Sequence, residues 1–358
     1  MSRPRILLTT DLVGGVWDFC LVLARALDAR VTVLALGEET TAHADAAVQA
    51  GADIVFAPLK LEWMRDADAD VARTGEVVAR LAQQIGVDFV HANQFAAVVP
   101  NAPTVLTLHS DVLSWRRWTL GASEAPPEWN SYAALVKQAL KTADRVVGVS
   151  SFLANQVHDL YGCRREIEVI HNGWPASIAP ARRERFTLLA GRAWDAAKNI
   201  QLAARAAHGW NPGPVFVAGN QRHPESGAAM PIDSPLQPLG HLAIDELQAW
   251  LSRASIYLSP ARYDPFGLLP LQAALNGAAL LLSDIPSYRE LWDGVACFFH
   301  SDDPDDLRWR WQRLLDNRVQ IDALAAGARA RALERYSVER MADAYARVYA
   351  STAVGVAA

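Results

Sequence analysis

The chain alternates short apolar runs with longer segments of helical spacing, and it does so in two successive series. Such alternation is the pattern of parallel strands joined by crossover helices. In the first series, 6–10, 31–36, 53–57, 87–91, 104–108, 145–149 and 167–170 read as strands. Segments 17–27, 42–50, 71–85, 131–142 and 152–161 read as helices. His171-Asn172-Gly173-Trp174-Pro175 then breaks the pattern, and polar, proline-containing sequence up to Arg185 reads as a linker. The second series places strands at 186–190, 214–218, 256–259, 278–282 and 295–299, with helices at 197–207, 244–252 and from Gly267. Two or three helices close the chain from Pro304. The expectation is an α/β chain of two Rossmann-like domains, 1–175 and 176–336, with parallel sheets facing a deep cleft. Ligands of open parallel sheets bind at the carboxyl ends of the strands, so the informative residues should follow strands directly.

Composition agrees with this. A chain of 358 residues accommodates two domains, and 51% apolar with 20% charged residues describes a well-cored protein. A net charge of −5 gives a nucleic-acid partner no support. Cys20, Cys163 and Cys297 lie far apart without metal or redox spacing, which suits a reducing compartment. The apolar run near the N-terminus is too short for a signal-peptide core, and no run approaches the roughly 18 residues of a membrane helix. These features predict a cytoplasmic protein. The run Trp115-Arg116-Arg117-Trp118 suits a peripheral contact with the inner membrane face as well as it suits a partly buried loop with cation–π pairs.

Several strand ends carry residues fit for a phosphorylated ligand. In 263–277, Asp264 precedes a helix opened by Gly267, Gln272 lies in that helix, and an apolar strand follows. A helix start offers unpaired N–H groups and a positive dipole end, a seat for phosphate, while the carboxylate and amide can grip hydroxyls beside it. Phosphate flanked by hydroxyls describes a nucleotide sugar. The alternative makes Asp264 a helix cap and Gln272 a surface residue. Gly191-Arg192 ends one strand and Lys198-Asn199 opens the next helix, so two cations can meet one diphosphate. Gly14 and Gly15 stand between the first strand and helix, where glycine N–H groups can approach an anion or simply make a tight turn at positive φ. His109, before Ser110 and Asp111, follows a strand, and so does His91. Gly219-Asn220 and Gly240-His241 also make ordinary turns. Trp309 and Trp311 face different sides of a helix, and at least one should pack between helices. The proline-, glycine- and serine-rich segment 220–238 reads as a long loop of the functional or mobile kind.

The run 263–277 resembles the donor-binding signature of the family 4 glycosyltransferases, where two glutamates are separated by seven residues; here the pair is Asp264 and Gln272. The resemblance extends in order over the Gly14-Gly15 turn, His109, Gly191-Arg192 with Lys198-Asn199, and the closing region near Tyr336-Ser337. It implies the GT-B architecture, with the C-terminal helix at about 337–352 packing back on the N-terminal domain. It implies His109, Arg192, Lys198 and Asp264 as catalytic residues. It implies Gly14, Gly15, Asn220, His241, Phe266, Gly267 and Gln272 as donor-binding, with Phe266-Gly267 acting through backbone N–H groups. Family members retain anomeric configuration without a metal ion, the leaving phosphate taking the acceptor proton. No cofactor is therefore expected, and the partners are a nucleotide-sugar donor and a sugar, polysaccharide or lipid-linked acceptor in glycan, polysaccharide or glycolipid synthesis. Both acids of the signature are changed. Asp264 is one methylene short, and Gln272 accepts without charge assistance, which roughly halves such bonds and predicts altered ribose binding. The changed pair also supports a non-catalytic, nucleotide-sugar-binding or scaffolding homologue. A sugar-nucleotide epimerase would need acid–base carboxylates that the sequence does not display.

Overall fold

Seven strands of the first unit pair in parallel: β1 (Arg5–Asp11), β2 (Arg30–Leu36), β3 (Asp53–Ala57), β4 (Phe89–Ala92), β5 (Thr104–Leu108), β6 (Arg145–Gly148) and β7 (Glu168–Val169), in the order β3-β2-β1-β4-β5-β6-β7. The computed structural model describes residues 3–12, 14–122, 124, 126–176, 183–223 and 225–356. Of the connecting segment expected up to Arg185, residues 177–182 lie outside the described residues. Consecutive Ile6, Leu7 and Leu8 are all buried, as a strand covered on both faces requires. The helices that follow are α1 (Gly15–Ala26), α2 (Thr41–Gln49), α3 (Asp68–Ile85), α4 (Val112–Leu120), α5 (Asn130–Thr142) and α6 (Ser151–Tyr161).

The second unit repeats the plan with β8 (Glu184–Ala190), β9 (Val215–Ala218), β10 (Gln237–Gly240), β11 (Ala254–Ser259), β12 (Ala279–Ser283) and β13 (Cys297–Phe299), all parallel, in the order β10-β9-β8-β11-β12-β13. Its helices are α7 (Ile200–Ala207), α8 (Ile244–Arg253), α9 (Leu268–Leu275), α10 (Pro286–Trp292), α11 (Pro304–Leu315) and α12 (Arg318–Arg335). Trp311 is buried, and its indole N–H donates to Thr187 Oγ1 at 3.0 Å. Trp309 stays exposed, with the Arg310 and Arg313 guanidiniums each 4.7 Å from its ring.

The last helix, α13 (Val338–Val356), belongs to the first unit, which comprises Met1–Arg117, Ala122–Gly173 and Val338–Ala358; the second comprises Trp118–Gly121 and Trp174–Ser337. Met341, Tyr345, Val348 and Tyr349 join the core formed by Phe19, Leu23 and Phe89. The buried His91 ring bonds Tyr349 Oη and Thr107 Oγ1, both at 2.7 Å. His91 is thus a core residue fastening α13, and burial pushes its imidazole down to about 3.

Four local expectations need correction. The run Trp115-Arg116-Arg117-Trp118, read as a membrane contact or a partly buried loop, lies in α4, which Asp111 caps: Asp111 Oδ1 accepts from Ser114 N–H at 2.8 Å and from Tyr161 O–H at 2.7 Å. The Trp115–Trp118 run is therefore helical and half-buried, with Arg117 bonded to Asp159. The end of the supposed loop 220–238 enters β10, whose Pro238 is tolerated because the strand is a sheet edge. The helix expected over 197–207 is interrupted at Asn199, which adopts φ 49°, so Lys198 closes a 3₁₀ turn (Ala196–Lys198) ahead of α7. The fourth is α10, absent from the sequence reading. None of the described helices is long and apolar enough to cross a membrane.

Candidate active site

In the second sheet the strand order reverses beside β8: β9 and β10 extend to one side, β11 to β13 to the other. That reversal leaves an opening at the carboxyl ends of β8 and β11, where α/β sheets seat their ligands. Gly191-Arg192 follows β8, and Asp264 follows β11. Lys198 spans the two, its Nζ donating to Asp264 Oδ2 at 2.9 Å. Tyr288, from α10, donates to the same oxygen at 3.0 Å, and Ser287 Oγ donates to the Asp264 backbone carbonyl at 2.7 Å. Asp264 is thus fixed by an ion pair and two hydroxyls, and it does not cap α9, whose N-cap is Gly267. Both side-chain bonds fall on Oδ2; among the described residues Oδ1 makes none, so it can accept from a hydroxyl.

Arg192 is paired too. Its Nη2 donates to the buried Asp195 at 2.8 Å, its guanidinium lies 5.3 Å from the Trp194 ring centre, and its enclosed Nε finds no hydrogen-bond partner. The Arg192 side chain remains 40% exposed, against 18% for Lys198, so the guanidinium is the more accessible cation.

Two glycines let the backbone close around this edge. Gly219, at φ 133°, passes so near the preceding turn that a Cβ there would lie 1.8 Å from the Gly191 carbonyl oxygen. Gly267, at φ 82°, would bring a Cβ within 2.9 Å of the Tyr288 ring. The first intrahelical donor of α9 is Leu271, bonded to Gly267 O at 3.2 Å, which places Leu268 and Leu269 N–H ahead of the ladder. The Phe266 side chain is buried against Tyr336, their rings 5.7 Å apart, so only its backbone can serve a ligand. Asn220 and His241, after β9 and β10, come together with Gln221, Arg222 and Ala229 around a hollow of about 330 Å³, the lower end of ligand-pocket sizes.

Gln272 is buried rather than a surface residue. Its Oε1 accepts from Gln248 Nε2 at 2.6 Å, and Gln248 Oε1 accepts from Asn276 Nδ2 at 2.6 Å. An amide relay between α8 and α9 therefore stands where the resemblance implied a free acceptor.

The first sheet has its own reversal, between β1 and β4. Gly14 precedes α1 with φ −146°, so extended backbone rather than positive φ makes this turn; its N–H donates to Asp11 Oδ1 at 3.1 Å. Gly15 opens α1. Half-buried His109, after β5, donates from Nε2 to Asn93 Oδ1 at 2.8 Å and meets the Phe19 ring edge-on at 4.6 Å. Burial pushes this imidazole down to about 3, so it is neutral near pH 7. Glu62 accepts from Phe95 N–H at 2.9 Å, and burial raises its carboxyl to about 7. Burial also lifts Asp18, on α1, to about 6. Gln94 is buried with neither side-chain polar atom hydrogen-bonded.

Sequence reasoning missed Asn93, Asp195, Tyr288 and Gln248. Asn93 and Asp195 follow strands, the placement that singled out the other candidates; Tyr288 and Gln248 lie inside helices and gave no signal. Among the described residues no group of three His, Cys, Asp or Glu side chains is placed to hold a metal ion.

Two Rossmann-like units, each with polar residues at a strand-order reversal, define the class of the GT-B glycosyltransferases, and solved structures agree on the fold. The sucrose-phosphate synthase of Thermosynechococcus elongatus superposes with a TM-score of 0.78 at 16% identity, over 99% of this chain and all of that one. HepE of Anabaena, solved with UDP and glucose, gives 0.73 at 16% identity over 98% of this chain and 100% of its own. The Glycosyltransferase Family 4 model matches residues 13–177, and the model for glycosyl transferases group 1 matches 184–317. Together these matches show a glycosyltransferase whose N-terminal half is of family 4 type and whose C-terminal half is of group 1 type. Relatives include the O-antigen chain mannosyltransferase RfbU of Salmonella typhimurium, 24% identical over 63% of this chain and 67% of its own length. The glycogen synthase of Mycobacterium tuberculosis is 27% identical over 73% of this chain and 68% of its own length.

Proposed function

We propose that this glycosyltransferase moves a sugar from a nucleoside diphosphate sugar to an acceptor hydroxyl, retaining anomeric configuration and using no metal ion. The observation that carries the reading is the Lys198–Asp264 pair bridging the β8 and β11 ends beside Arg192. The diphosphate sits by Arg192 and Lys198 and against the N–H groups ahead of α9. The nucleoside extends toward the Asn220 and His241 hollow. Asp264 Oδ1 accepts from a sugar hydroxyl. In the reaction the bond from the anomeric carbon to the diphosphate breaks, and the bond to the acceptor oxygen forms on the same face. The acceptor proton passes to the leaving phosphate, whose growing charge the two cations stabilise in place of a metal. Within the first unit, the Gly14-Gly15 turn and His109 are the residues to which the family resemblance gives donor-binding and catalytic roles. The relatives' names favour glycan synthesis and are compatible with sugar, polysaccharide or lipid-linked acceptors.

A panel of UDP-, GDP- and ADP-sugars, assayed for hydrolysis and transfer with the product anomer read by NMR, tests the proposal. Turnover with retained configuration, undiminished by chelator, is expected. Inverted product, or activity that chelator abolishes, would reject the mechanism; binding without any turnover would favour the non-catalytic homologue.

A further inference from the structure

We propose that Asn93 is a positioning residue that holds the His109 ring in a single tautomer, proton on Nε2 and lone pair on Nδ1, ready to accept from a sugar hydroxyl. The inference rests on the reading of His109 as a site residue.

Asn93 follows β4, where the first sheet reverses its order, and it reaches three elements at once. Its backbone N–H donates to Thr9 Oγ1 at 3.0 Å, and its Nδ2 donates to the Thr9 carbonyl at 2.7 Å. The same Nδ2 lies 3.3 Å from Cys20 Sγ on α1. Thr9 is fully buried in β1, so the amide is anchored to the sheet interior. These donations leave one orientation for the amide, in which Oδ1 is the acceptor. His109 Nε2, 2.8 Å away, must then carry the proton.

Three consequences follow. A neutral imidazole has one N–H, so Nδ1 is an acceptor, and among the described residues it makes no hydrogen bond. Phe19, edge-on to the ring, limits its rotation. Asn93 accepts without bringing a negative charge, which a carboxylate in the same place would use to hold imidazolium. The titratable neighbours are His91 on β4, which feels His109, and Cys20 on α1, which feels Asp11 and Asp18. Among the described residues neither of the two hydrogen-bonds the His109 ring. The site so defined selects a hydroxyl, a donor, over a carboxylate or phosphate oxygen.

The test is NMR of the full chain labelled with ¹⁵N-histidine, with His109→Gln assigning the ring signals. The wild type should show the Nε2–H form of His109 unchanged from pH 8 down to pH 5. Asn93→Asp should raise the His109 midpoint by about one to three units, the range for a neighbouring carboxylate. Asn93→Ser, which keeps a small polar group, guards against simple misfolding; it should loosen the tautomer and lower kcat on the order of ten- to a hundred-fold with donor KM little changed. A mixed tautomer in the wild type, or an Asn93→Asp midpoint equal to wild type, would overturn the proposal. So would an Asn93→Ser enzyme with normal kcat. Should the ring behave as stated while no donor is turned over, the positioning stands and the transferase mechanism falls.

Discussion

The two cations of the second unit are neutralised by different carboxylates, and this sets what each substitution does. Lys198 shares Asp264 with Tyr288, so Lys198→Ala removes a donor aimed at the leaving group and unpins the carboxylate. Losing one donor directed at developing charge lowers rate by ~10²–10³, and steady-state kinetics should show that loss for Lys198→Ala. Unchanged turnover would remove Lys198 from the mechanism. Gln94 behaves oppositely. Its enclosed, unpaired amide destabilises the fold by about 1–3 kcal/mol, so Gln94→Leu should raise the denaturation midpoint. A lower midpoint would mean the amide is paired in solution. Asp264, Lys198 and Arg192 were legible in the sequence because strand ends are local features. Their partner Tyr288 was not, because it acts through a contact that only the folded sheet creates, whereas Asp195 lies three residues after Arg192 in the same strand-end segment and was missed.

At the scale of elements, most strands and helices were legible because burial on both faces leaves a continuous apolar run. Two exceptions have physical reasons. β10 carries Pro238, a residue that argues against a strand except at an edge, and α4 depends on a cap, Asp111, whose carboxylate also accepts from Tyr161. α13 was foreseen through family resemblance, and its docking is chemical as well as apolar. Tyr349 O–H bonds the His91 ring inside the first unit's core. Tyr349→Phe should therefore lower stability by about 1 kcal/mol, the worth of a typical hydrogen bond, in a urea titration. A variant as stable as the wild type would show that packing alone holds the helix. Truncation after Ser337 would expose Phe19, Leu23 and Phe89, and the first unit's melting transition should fall or vanish.

Across the whole molecule, buried and half-buried titratable groups oppose one another as pH changes. Glu62 has its folded value raised from 4.5 to about 7, so between those values the folded chain holds a proton the unfolded chain has lost. Stability from this group therefore falls as pH rises through that window. Asp18, raised from 3.8 to about 6, acts in the same direction. His91 and His109, lowered from 6.5 to about 3, act the other way: stability falls as pH drops below 6.5. Above pH 6.5 only Glu62 of these four still changes, so Glu62→Gln should raise the melting temperature at pH 8 and not at pH 4. The gain should reach at most about 3 kcal/mol, and an equal difference at both pH values would contradict the assignment. Binding of a nucleoside diphosphate where β8 and β11 part can be measured by calorimetric titration of UDP, GDP and ADP into the wild type and the Arg192→Ala, Lys198→Ala double variant. At least one nucleotide should bind the wild type, and the double variant should bind it at least tenfold more weakly, about 1.4 kcal/mol. Equal affinity in the two proteins would contradict it.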